Sequence, residues 1–439
     1  MSGRPQPPLS SLVRARLAAG FVLCVLLAAC GGGGSGIASS STTAPASAPV
    51  AASATPRAST PSLASTGNTS NPSSTVPQST TPNVLAVTVG PTPTSTRNML
   101  IASVTVCVPG TATCATVDNV QVDTGSQGLR LLASALPAGF ALPAVTAAAG
   151  ADIAGECSVF GTGYTWGAVR RADVKLAGEV AAVLPIQLIA DPAVPTVPSG
   201  CSGLGLAMNS ASTLHANGIL GIGPFSGDCG ASCVNTSQSA WYYACPASGC
   251  TASVQPLAQQ VSNPVAGFAT DNNGVVIDLP DVAATGASAV SGSLIFGIGS
   301  QANNTLGSAT VLRANAGTGY VKTTTSDGTV YSQSYLDTGS NALYFNSSTM
   351  TRCGIWYCPS SPVSLAATIT GLDGVSASVN LSVTRPATLL ATGNWAFSNL
   401  AGYNAYAFDW GLPFFFGRRV FTAIEAQVTP AGNGPYFAF

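Results

Sequence analysis

The sequence of 439 residues has little charge, because Asp, Glu, Lys and Arg together make up only 7% of it. Fifteen cationic and sixteen anionic side chains nearly cancel, and the only lysines are Lys175 and Lys322. Proteins that bind nucleic acid present a basic surface that neutralises phosphates, and this chain has too few cations to form one. We therefore expect no nucleic-acid partner.

Histidine is almost missing, since His215 is the single one in the chain. One imidazole cannot build a histidine-rich metal centre, and a lone histidine in a polar stretch is rarely the base of a Ser-His-Asp triad. We expect His215 to be a surface residue. The sequence therefore predicts neither a metal nor a cofactor.

Long apolar runs are also rare, and the clearest one lies near the N-terminus at residues 17–29. It follows a segment with three arginines and has about the length of a signal-peptide core, too short to span a bilayer comfortably. It ends in Leu27-Ala28-Ala29-Cys30, which resembles a bacterial lipobox with Cys30 as the lipidated residue. The alternative is an ordinary signal peptide, residues 1–30, in which Cys30 is incidental.

Residues 31–82 are nearly all Gly, Ser, Thr, Ala and Pro, and Arg57 is their only charge. Such a segment cannot bury enough apolar surface to fold, so we predict a disordered tether that reaches about 40 Å. Gly31 follows Cys30, which by resemblance to enteric lipoproteins favours the outer membrane. We expect an exported protein that is lipid-anchored in the cell envelope.

Twelve cysteines are present, and ten of them lie beyond Cys24 and Cys30. An even number in an exported chain predicts disulfides. Four pairs are local in sequence, which would leave Cys157 for Cys201, although sequence alone does not fix the connectivity. The local pairs are Cys107 with Cys114, Cys229 with Cys233, Cys245 with Cys250, and Cys353 with Cys358.

Helical periodicity is scarce, and short runs rich in Val, Thr, Ile, Leu and Phe alternate with turn residues. This pattern predicts an all-β fold. The clearest predicted strands are residues 100–108, 181–189, 275–279, 293–298 and 420–427, and residues 254–261 are a helical candidate. We place an N-terminal β lobe at 83–300 and a C-terminal β lobe at 301–439.

One tetrad occurs twice in this part of the chain. The first tetrad is Asp123-Thr124-Gly125-Ser126 and the second is Asp337-Thr338-Gly339-Ser340, and each lies between two apolar strands. Two carboxyl groups that meet across a pseudo-twofold axis share one proton, so one serves as base and the other as acid. Peptide bonds are hydrolysed in this way without a metal. The blander interpretation is a pair of turns.

With the tetrads and strands placed, residues 83–439 resemble a pepsin-type aspartic protease. The resemblance implies a bilobal fold of two pseudo-twofold-related β lobes, with the flap hairpin over substrate at Phe160-Gly161-Thr162-Gly163-Tyr164. Further matching segments are residues 218–223, residues 292–297 and Trp410-Gly411-Leu412-Pro413. More narrowly, the leader, the flap and the Trp-Gly-Leu-Pro segment look like an uncharacterised bacterial lipoprotein family with a pepsin-like core.

The resemblance assigns a role to each tetrad residue. Asp123 and Asp337 would hold a water, which one of them activates while the other protonates the substrate carbonyl. Gly125 and Gly339 would let the turns approach the carboxylates. Thr124 and Thr338 would bond across the lobe interface. Ser126 and Ser340 would bond the outer carboxylate oxygens.

Three positions depart from the pepsin pattern. Phe160 stands where the flap usually carries Tyr, and Tyr164 is a candidate to supply the missing hydroxyl. Arg130 stands where the partner Trp is expected, near a subsite: it either reaches the two aspartates and keeps both charged, or turns outward and selects an acidic substrate side chain. Pro413 stands where the second apolar-apolar-Gly segment should have its glycine.

The sequence therefore favours a monomeric aspartic endopeptidase that acts on a peptide or protein substrate and is held at the membrane through Cys30. A catalytically inactive lipoprotein of the same fold, which binds peptides or envelope polymers, is the main alternative. A purely structural surface lipoprotein is the third, and it leaves the two intact acidic tetrads without a purpose.

Overall fold

The computed structural model describes residues 81–439 with the exception of residue 149. The predicted signal peptide, Cys30 and the tether as far as residue 80 therefore lie outside the described residues. Within the described part, no helix is both long and apolar enough to cross a membrane.

The described chain consists mainly of strands. Those before residue 300 are β1 Val84–Val89, β2 Ile101–Cys107, β3 Cys114–Asp123, β4 Gln127–Leu132, β5 Ile153–Val159, β6 Gly163–Leu176, β7 Glu179–Ile189, β8 Leu206–Ala207, β9 Gly218–Ile222, β10 Tyr242–Cys245, β11 Thr251–Ala252, β12 Gly274–Leu279 and β13 Val290–Phe296. Those after it are β14 Val311–Arg313, β15 Val321–Thr325, β16 Val330–Leu336, β17 Leu343–Phe345, β18 Arg352–Cys353, β19 Trp356–Tyr357, β20 Val363–Thr370, β21 Ser376–Val383, β22 Ala401–Tyr403, β23 Phe408–Trp410, β24 Arg418–Ala423, β25 Val428–Thr429, β26 Gly432–Asn433 and β27 Tyr436–Ala438.

Helices are few and short. The α-helices are α1 Ser199–Ser202, α2 Ala211–Leu214, α3 Ala231–Asn235 and α4 Pro386–Leu390. The 3₁₀ turns are Ala133–Ala135, Leu257–Gln259, Pro264–Gly267, Ala302–Asn304 and Leu412–Phe414. The all-β prediction is confirmed, but the helical candidate at 254–261 is wrong, because only Leu257–Gln259 forms a single 3₁₀ turn there.

The strands of residues 81–439 form two large sheets and a small hairpin of β25 and β26. The larger sheet has the order β11-β10-β5-β6-β7-β4-β9-β3-β2-β1-β13-β12-β24-β27-β14, with β8 paired to β6. The smaller sheet has the order β18-β19-β22-β17-β23-β16-β15-β20-β21. Each sheet contains one of the two tetrads at the end of a strand, so the chain has two lobes.

The lobes are joined by the far end of the larger sheet, where β1, β13, β12, β24, β27 and β14 pair antiparallel in that order. This section, which we call the joining sheet, contains strands from both ends of the described chain. The boundary near residue 300 stays a prediction of the sequence; it falls between β13 and β14.

The core follows from the alternation of apolar residues along the strands. In β3, for example, Val117, Val120 and Val122 are buried while the residues between them are more exposed. Side chains of both lobes belong to one continuous apolar cluster, which includes Leu131 from one lobe and Phe408 from the other. The two tetrads are therefore held by packed strands and not by loose loops.

The cysteine pairing expected from the sequence is confirmed. The five disulfides are Cys107–Cys114, Cys157–Cys201, Cys229–Cys233, Cys245–Cys250 and Cys353–Cys358. The expectation for His215 is only partly met: the residue is half-buried, its Nδ1 atom has no hydrogen-bond partner among the described residues, and desolvation lowers its pKa.

Candidate active site

The two tetrads lie in the same three-strand arrangement. The first tetrad follows β3 and leads into β4, and β9 passes between them, parallel to β3 and antiparallel to β4. The second tetrad connects β16 to β17, and β23 passes between them in the same two directions. The two tetrad turns therefore have equivalent strand partners, and each turn is held by a third strand from its own lobe.

The register of these strands corrects the expectation for Pro413. Asp123 is paired with Gly221, whereas Leu336 is paired with Trp410, so Asp337 lies opposite Gly411. A Cβ atom on Gly411 would lie 2.0 Å from the carbonyl oxygen of Ala342, which explains why only glycine fits there. Gly411, two residues before Pro413, is therefore the counterpart of Gly221, and the second segment does not lack its glycine.

Each tetrad glycine packs against the aspartate of the other tetrad. A Cβ atom on Gly125 would lie 2.5 Å from Cγ of Asp337, and a Cβ atom on Gly339 would lie 2.6 Å from Oδ1 of Asp123. Real Cβ atoms do not approach other atoms this closely, so glycine is required at both positions. The reciprocal contacts bring the two carboxyl groups together about a pseudo-twofold axis.

Each carboxyl group is fixed by its own turn. The N–H groups of Gly125 and Ser126 donate to Oδ1 of Asp123 at 2.7 and 3.2 Å, and the Ser126 hydroxyl lies 2.5 Å from its Oδ2. In the second tetrad, the N–H of Gly339 donates to Oδ1 of Asp337 at 2.7 Å, and the Ser340 hydroxyl lies 2.9 Å from its Oδ2. The two side chains therefore have little rotational freedom.

The threonines bond across the lobe interface. The Thr124 hydroxyl donates to the carbonyl oxygen of Leu336 and accepts from the N–H of Thr338, both at 3.0 Å. The Thr338 hydroxyl makes the mirror-image pair, donating to Val122 at 2.8 Å and accepting from Thr124 at 3.1 Å. Both side chains are at most 1% exposed, so water cannot replace these bonds.

Replacing Thr124 with Val should destabilise the protein, because Leu336 and Thr338 would each keep a buried backbone group without a partner. We expect a loss of about 1–3 kcal/mol in the free energy of unfolding for each such group. Urea unfolding would measure it, with Thr124→Ser as the control that keeps the hydroxyl. Equal stability of the two variants would contradict the cross-lobe role.

Burial and the neighbouring carboxyl group change the pKa of Asp337. Desolvation, followed by the negative charge of Asp123 and a hydrogen bond with it, raises the pKa of Asp337 well above its ordinary value. The bonds from Ser340 and Gly339 oppose this rise. The net effect favours the protonated form of Asp337, as expected for a buried carboxyl group beside a second one.

Arg130 occupies neither of the positions expected from the sequence. Its side chain is 1% exposed, and its Nη2 atom lies 2.6 Å from Glu156 and 3.0 Å from Asp228. It therefore neither reaches the two aspartates nor turns outward to meet a substrate. The physical reason is that a buried cation needs buried anions, and two of them are supplied by β5 and the segment after β9.

The network around Arg130 continues through Tyr242, whose hydroxyl donates to Oδ1 of Asp228 at 2.7 Å and accepts from the N–H of Val261 at 2.7 Å. Desolvation by itself lowers the pKa of Arg130, but Glu156 and Asp228 raise it above its ordinary value. Desolvation and the charge of Glu156 raise the pKa of Asp228. The network ties the flap strand β5 to the body of the lobe.

The predicted flap is the hairpin of β5 and β6, in which Phe160 and Gly163 exchange backbone hydrogen bonds around the turn. Phe160 is half-buried and packs against the apolar cluster that contains Met208; the guanidinium of Arg130 lies 5.6 Å from its ring centre. Gly161 and Thr162 complete the turn, and the Thr162 hydroxyl lies 2.8 Å from the Met208 sulfur.

Tyr164 does not take the place of the missing flap hydroxyl. It is 5% exposed and belongs to a separate cluster with Trp166, Tyr243 and the Cys157–Cys201 disulfide. Tyr164 is paired with Val159, and because neighbouring strand residues alternate between faces, its side chain lies on the face of the hairpin opposite to that of Phe160. Beside it, β8 pairs with the flap at Gly163, where a Cβ atom would lie 2.1 Å from the Leu206 carbonyl oxygen.

Three polar residues near the tetrads were missed by sequence reasoning. The amide of Gln121 donates to the Gly339 carbonyl at 2.8 Å, and the amide of Asn98 donates to the Asn341 carbonyl at 2.9 Å. The third is Asp409, whose Oδ2 lies 2.6 Å from the Ser340 hydroxyl. Asp409 and Gln121 lie on apolar strands, where a polar residue among apolar ones is the signal that the sequence offers. Asn98 lies in a loop.

The paired tetrads, each held by the same three strands in one of two β lobes, define the bilobal fold of the pepsin-like aspartic proteinases. By sequence, residues 79–439 match the family described as "Protein of unknown function (DUF3443)", and the chain belongs to this family. It is also similar to the crystal structure of an aspartic proteinase from Irpex lacteus. The identity is 15%, the TM-score is 0.48, and the match covers 81% of this chain and 96% of that one. No curated protein matches the chain.

Proposed function

We propose that the protein is an aspartic endopeptidase in which Asp123 and Asp337 activate a water for attack on a peptide bond. The observation that carries the proposal is the reciprocal packing of each tetrad glycine against the other aspartate. This packing supports the proposal because two carboxyl groups held so close cannot both ionise readily, and desolvation together with the charge of Asp123 raises the pKa of Asp337. A pair of unrelated turns would not need such contacts.

The proposed mechanism assigns different roles to the two groups. Ionised Asp123, whose Oδ1 and Oδ2 are held by Gly125 and Ser126, takes a proton from the water. Protonated Asp337 gives its proton to the carbonyl oxygen of the substrate, and the tetrahedral intermediate then collapses as a proton passes to the leaving nitrogen. Asp123 supplies that proton, and Asp337 recovers one from a hydroxyl of the intermediate as the carbonyl re-forms. The pair therefore ends with one proton, as it began, and the proposal includes no cofactor.

The raised pKa of Asp337 gives the pH dependence a sign. Activity requires one proton on the pair, so it falls as pH rises through the raised pKa of Asp337, and it falls at low pH when the pair gains a second proton. We expect a bell-shaped profile whose alkaline limb reports the loss of the shared proton.

The test is cleavage of a diverse peptide pool by the full-length protein in detergent, from about pH 3 to 7, read by mass spectrometry. The proposal predicts cleavage that pepstatin inhibits and that the Asp123→Asn variant lacks. Absence of any cleavage by a folded, disulfide-bonded protein over the whole range would sink it.

A second candidate function is peptide binding without cleavage, and Phe160 is the observation that favours it. A flap with phenylalanine at this position lacks the hydroxyl that the resemblance to pepsin leads one to expect, and Tyr164 is buried elsewhere. A binding protein would retain peptides from the pool in a pull-down while releasing no products. The corrected positions of Arg130 and Gly411 remove the other two reasons for this alternative.

We further propose that the protein is exported and anchored in the cell envelope through a lipid on Cys30, with the outer membrane as its site. The support is the motif Leu27-Ala28-Ala29-Cys30 after a short apolar run. A Cys30→Ser variant should lose labelled fatty acid and leave the membrane fraction. If this variant stays membrane-bound and labelled, the proposal is wrong.

A further inference from the structure

Asp409 is a buried carboxyl group that the peptidase mechanism above does not use. It lies on β23, where it is paired with Tyr335. Asp409 precedes Gly411, the residue opposite Asp337, by two positions. In the other lobe Asp123 is paired with Gly221, and the residue two positions before Gly221 is Ile219, which is paired with Gln121. The pseudo-twofold symmetry is therefore broken by a carboxyl group that is 1% exposed. Burial of an unneeded carboxyl is costly, so the difference calls for a role.

The hydroxyl of Ser340 lies between two carboxyl groups. Its Oγ atom is 2.9 Å from Oδ2 of Asp337 and 2.6 Å from Oδ2 of Asp409. A serine hydroxyl has one proton to donate, and an ionised carboxylate only accepts. Both contacts are hydrogen bonds only if one of the two carboxyl groups carries a proton and donates it to Oγ.

The surroundings assign that proton to Asp409, because a proton on Asp337 is used in its hydrogen bond with Asp123. Its Oδ1 atom is buried and has no hydrogen-bond partner among the described residues. The ionisable groups that face it are Asp337 and Asp123, whose charges oppose its ionisation, and the strand neighbours Tyr335 and Tyr344; among residues 81–439 no cation acts on it. Desolvation and these charges raise its pKa well above the ordinary value.

We propose that Asp409 is a third carboxyl group of the site, a positioning residue that keeps its proton and donates it to Ser340. The Ser340 hydroxyl then donates its own proton to Asp337. A fixed donor at Oδ2 stabilises the ionised form of Asp337, so Asp409 acts on the pair through Ser340 without touching substrate. The kinetic effect of Asp409 rests on the proposed function, whereas the presence of a proton on Asp409 does not.

The proton is tested without any reference to activity, by infrared spectra of the full-length protein at neutral pH. Asp409→Asn should remove one band of a protonated carboxyl group from the wild-type spectrum. Asp327→Asn is the matched control, because hydrogen bonds from Thr325 and Thr329 lower the pKa of Asp327 and leave it ionised. A spectrum of Asp409→Asn with no band lost would overturn the proposal, even if the protein has no peptidase activity.

The positioning role is tested by comparing two replacements of Asp409. Asn keeps an N–H that can donate to Ser340, whereas Leu of similar volume has none. We expect kcat of Asp409→Leu to be about fivefold below that of Asp409→Asn at an unchanged KM, the effect of one hydrogen bond. The alkaline limb of its pH profile should also move upward, because that limb reports the pKa of Asp337 and ionised Asp337 loses a fixed donor. Equal kcat values and equal pH profiles for the two folded variants would overturn the role.

Discussion

Replacing Asp123 with Asn is expected to abolish peptide cleavage while leaving the fold intact. The amide has nearly the same shape and its oxygen can still accept from Gly125 and Ser126. It cannot take a proton from water, however, and its neutral charge removes one of the causes that raise the pKa of Asp337. We expect kcat to fall about 10³-fold or more, which is about 4 kcal/mol of transition-state stabilisation.

The measurement is the initial rate on a peptide identified from the pool, beside thermal unfolding of both proteins. Asp173→Asn is a suitable control, because among the described residues Asp173 accepts hydrogen bonds from the backbone of Gly110 and Val183 alone, in an exposed part of the same lobe. A rate for Asp123→Asn within about tenfold of wild type would show that Asp123 is not the base.

Replacing Gly125 with Ala should have the second largest effect, although the change adds a single methyl group. The new Cβ atom would lie 2.5 Å from Cγ and 2.6 Å from Oδ1 of Asp337. The Asp337 carboxyl cannot move aside without breaking its bonds from Gly339 and Ser340. A displacement of about 1 Å in a catalytic group costs about 10²-fold in rate, so we expect at least that loss in kcat.

The matched control for this variant is Gly90→Ala. Gly90 is buried, and a Cβ atom there would lie 3.6 Å from the Ala289 methyl group, which is an ordinary contact. Neither glycine has a positive φ angle, so backbone strain does not separate the two variants. If Gly125→Ala and Gly90→Ala keep the same kcat, the close approach of Gly125 to Asp337 is not a feature of the working enzyme.

Much of this site could be predicted from the sequence because it is written in local repeats. The two tetrads repeat with their flanking strands, so their meeting follows from the twofold logic of shared carboxyl groups. The predicted strand at 181–189 lies within β7, and the one at 275–279 lies within β12, because apolar runs bounded by turns specify strands. Four of the disulfides followed from short sequence separation, and Cys157–Cys201, with a separation of 44 residues, was the pair that remained.

The rest depended on contacts between residues far apart in sequence. Arg130 was predicted to face the aspartates or the substrate, but its partners Glu156 and Asp228 lie 26 and 98 residues away. Nothing local marks these two acids as partners of one buried cation. Pro413 was misaligned because motif spacing was used where only strand register decides, and Asp409 was missed for the same reason.

The joining sheet bears on how the chain reaches its native state. Strand β1 pairs with β13, and β27 lies between β24 and β14. Strand β14 is thus paired with β27, a segment that lies more than a hundred residues later in the chain. Pairings of such long separation form slowly and expose unpaired edges in the meantime. Completion of the joining sheet therefore requires the chain as far as residue 438, and the edges of β24 and β14 that β27 covers stay unpaired until that segment is in place.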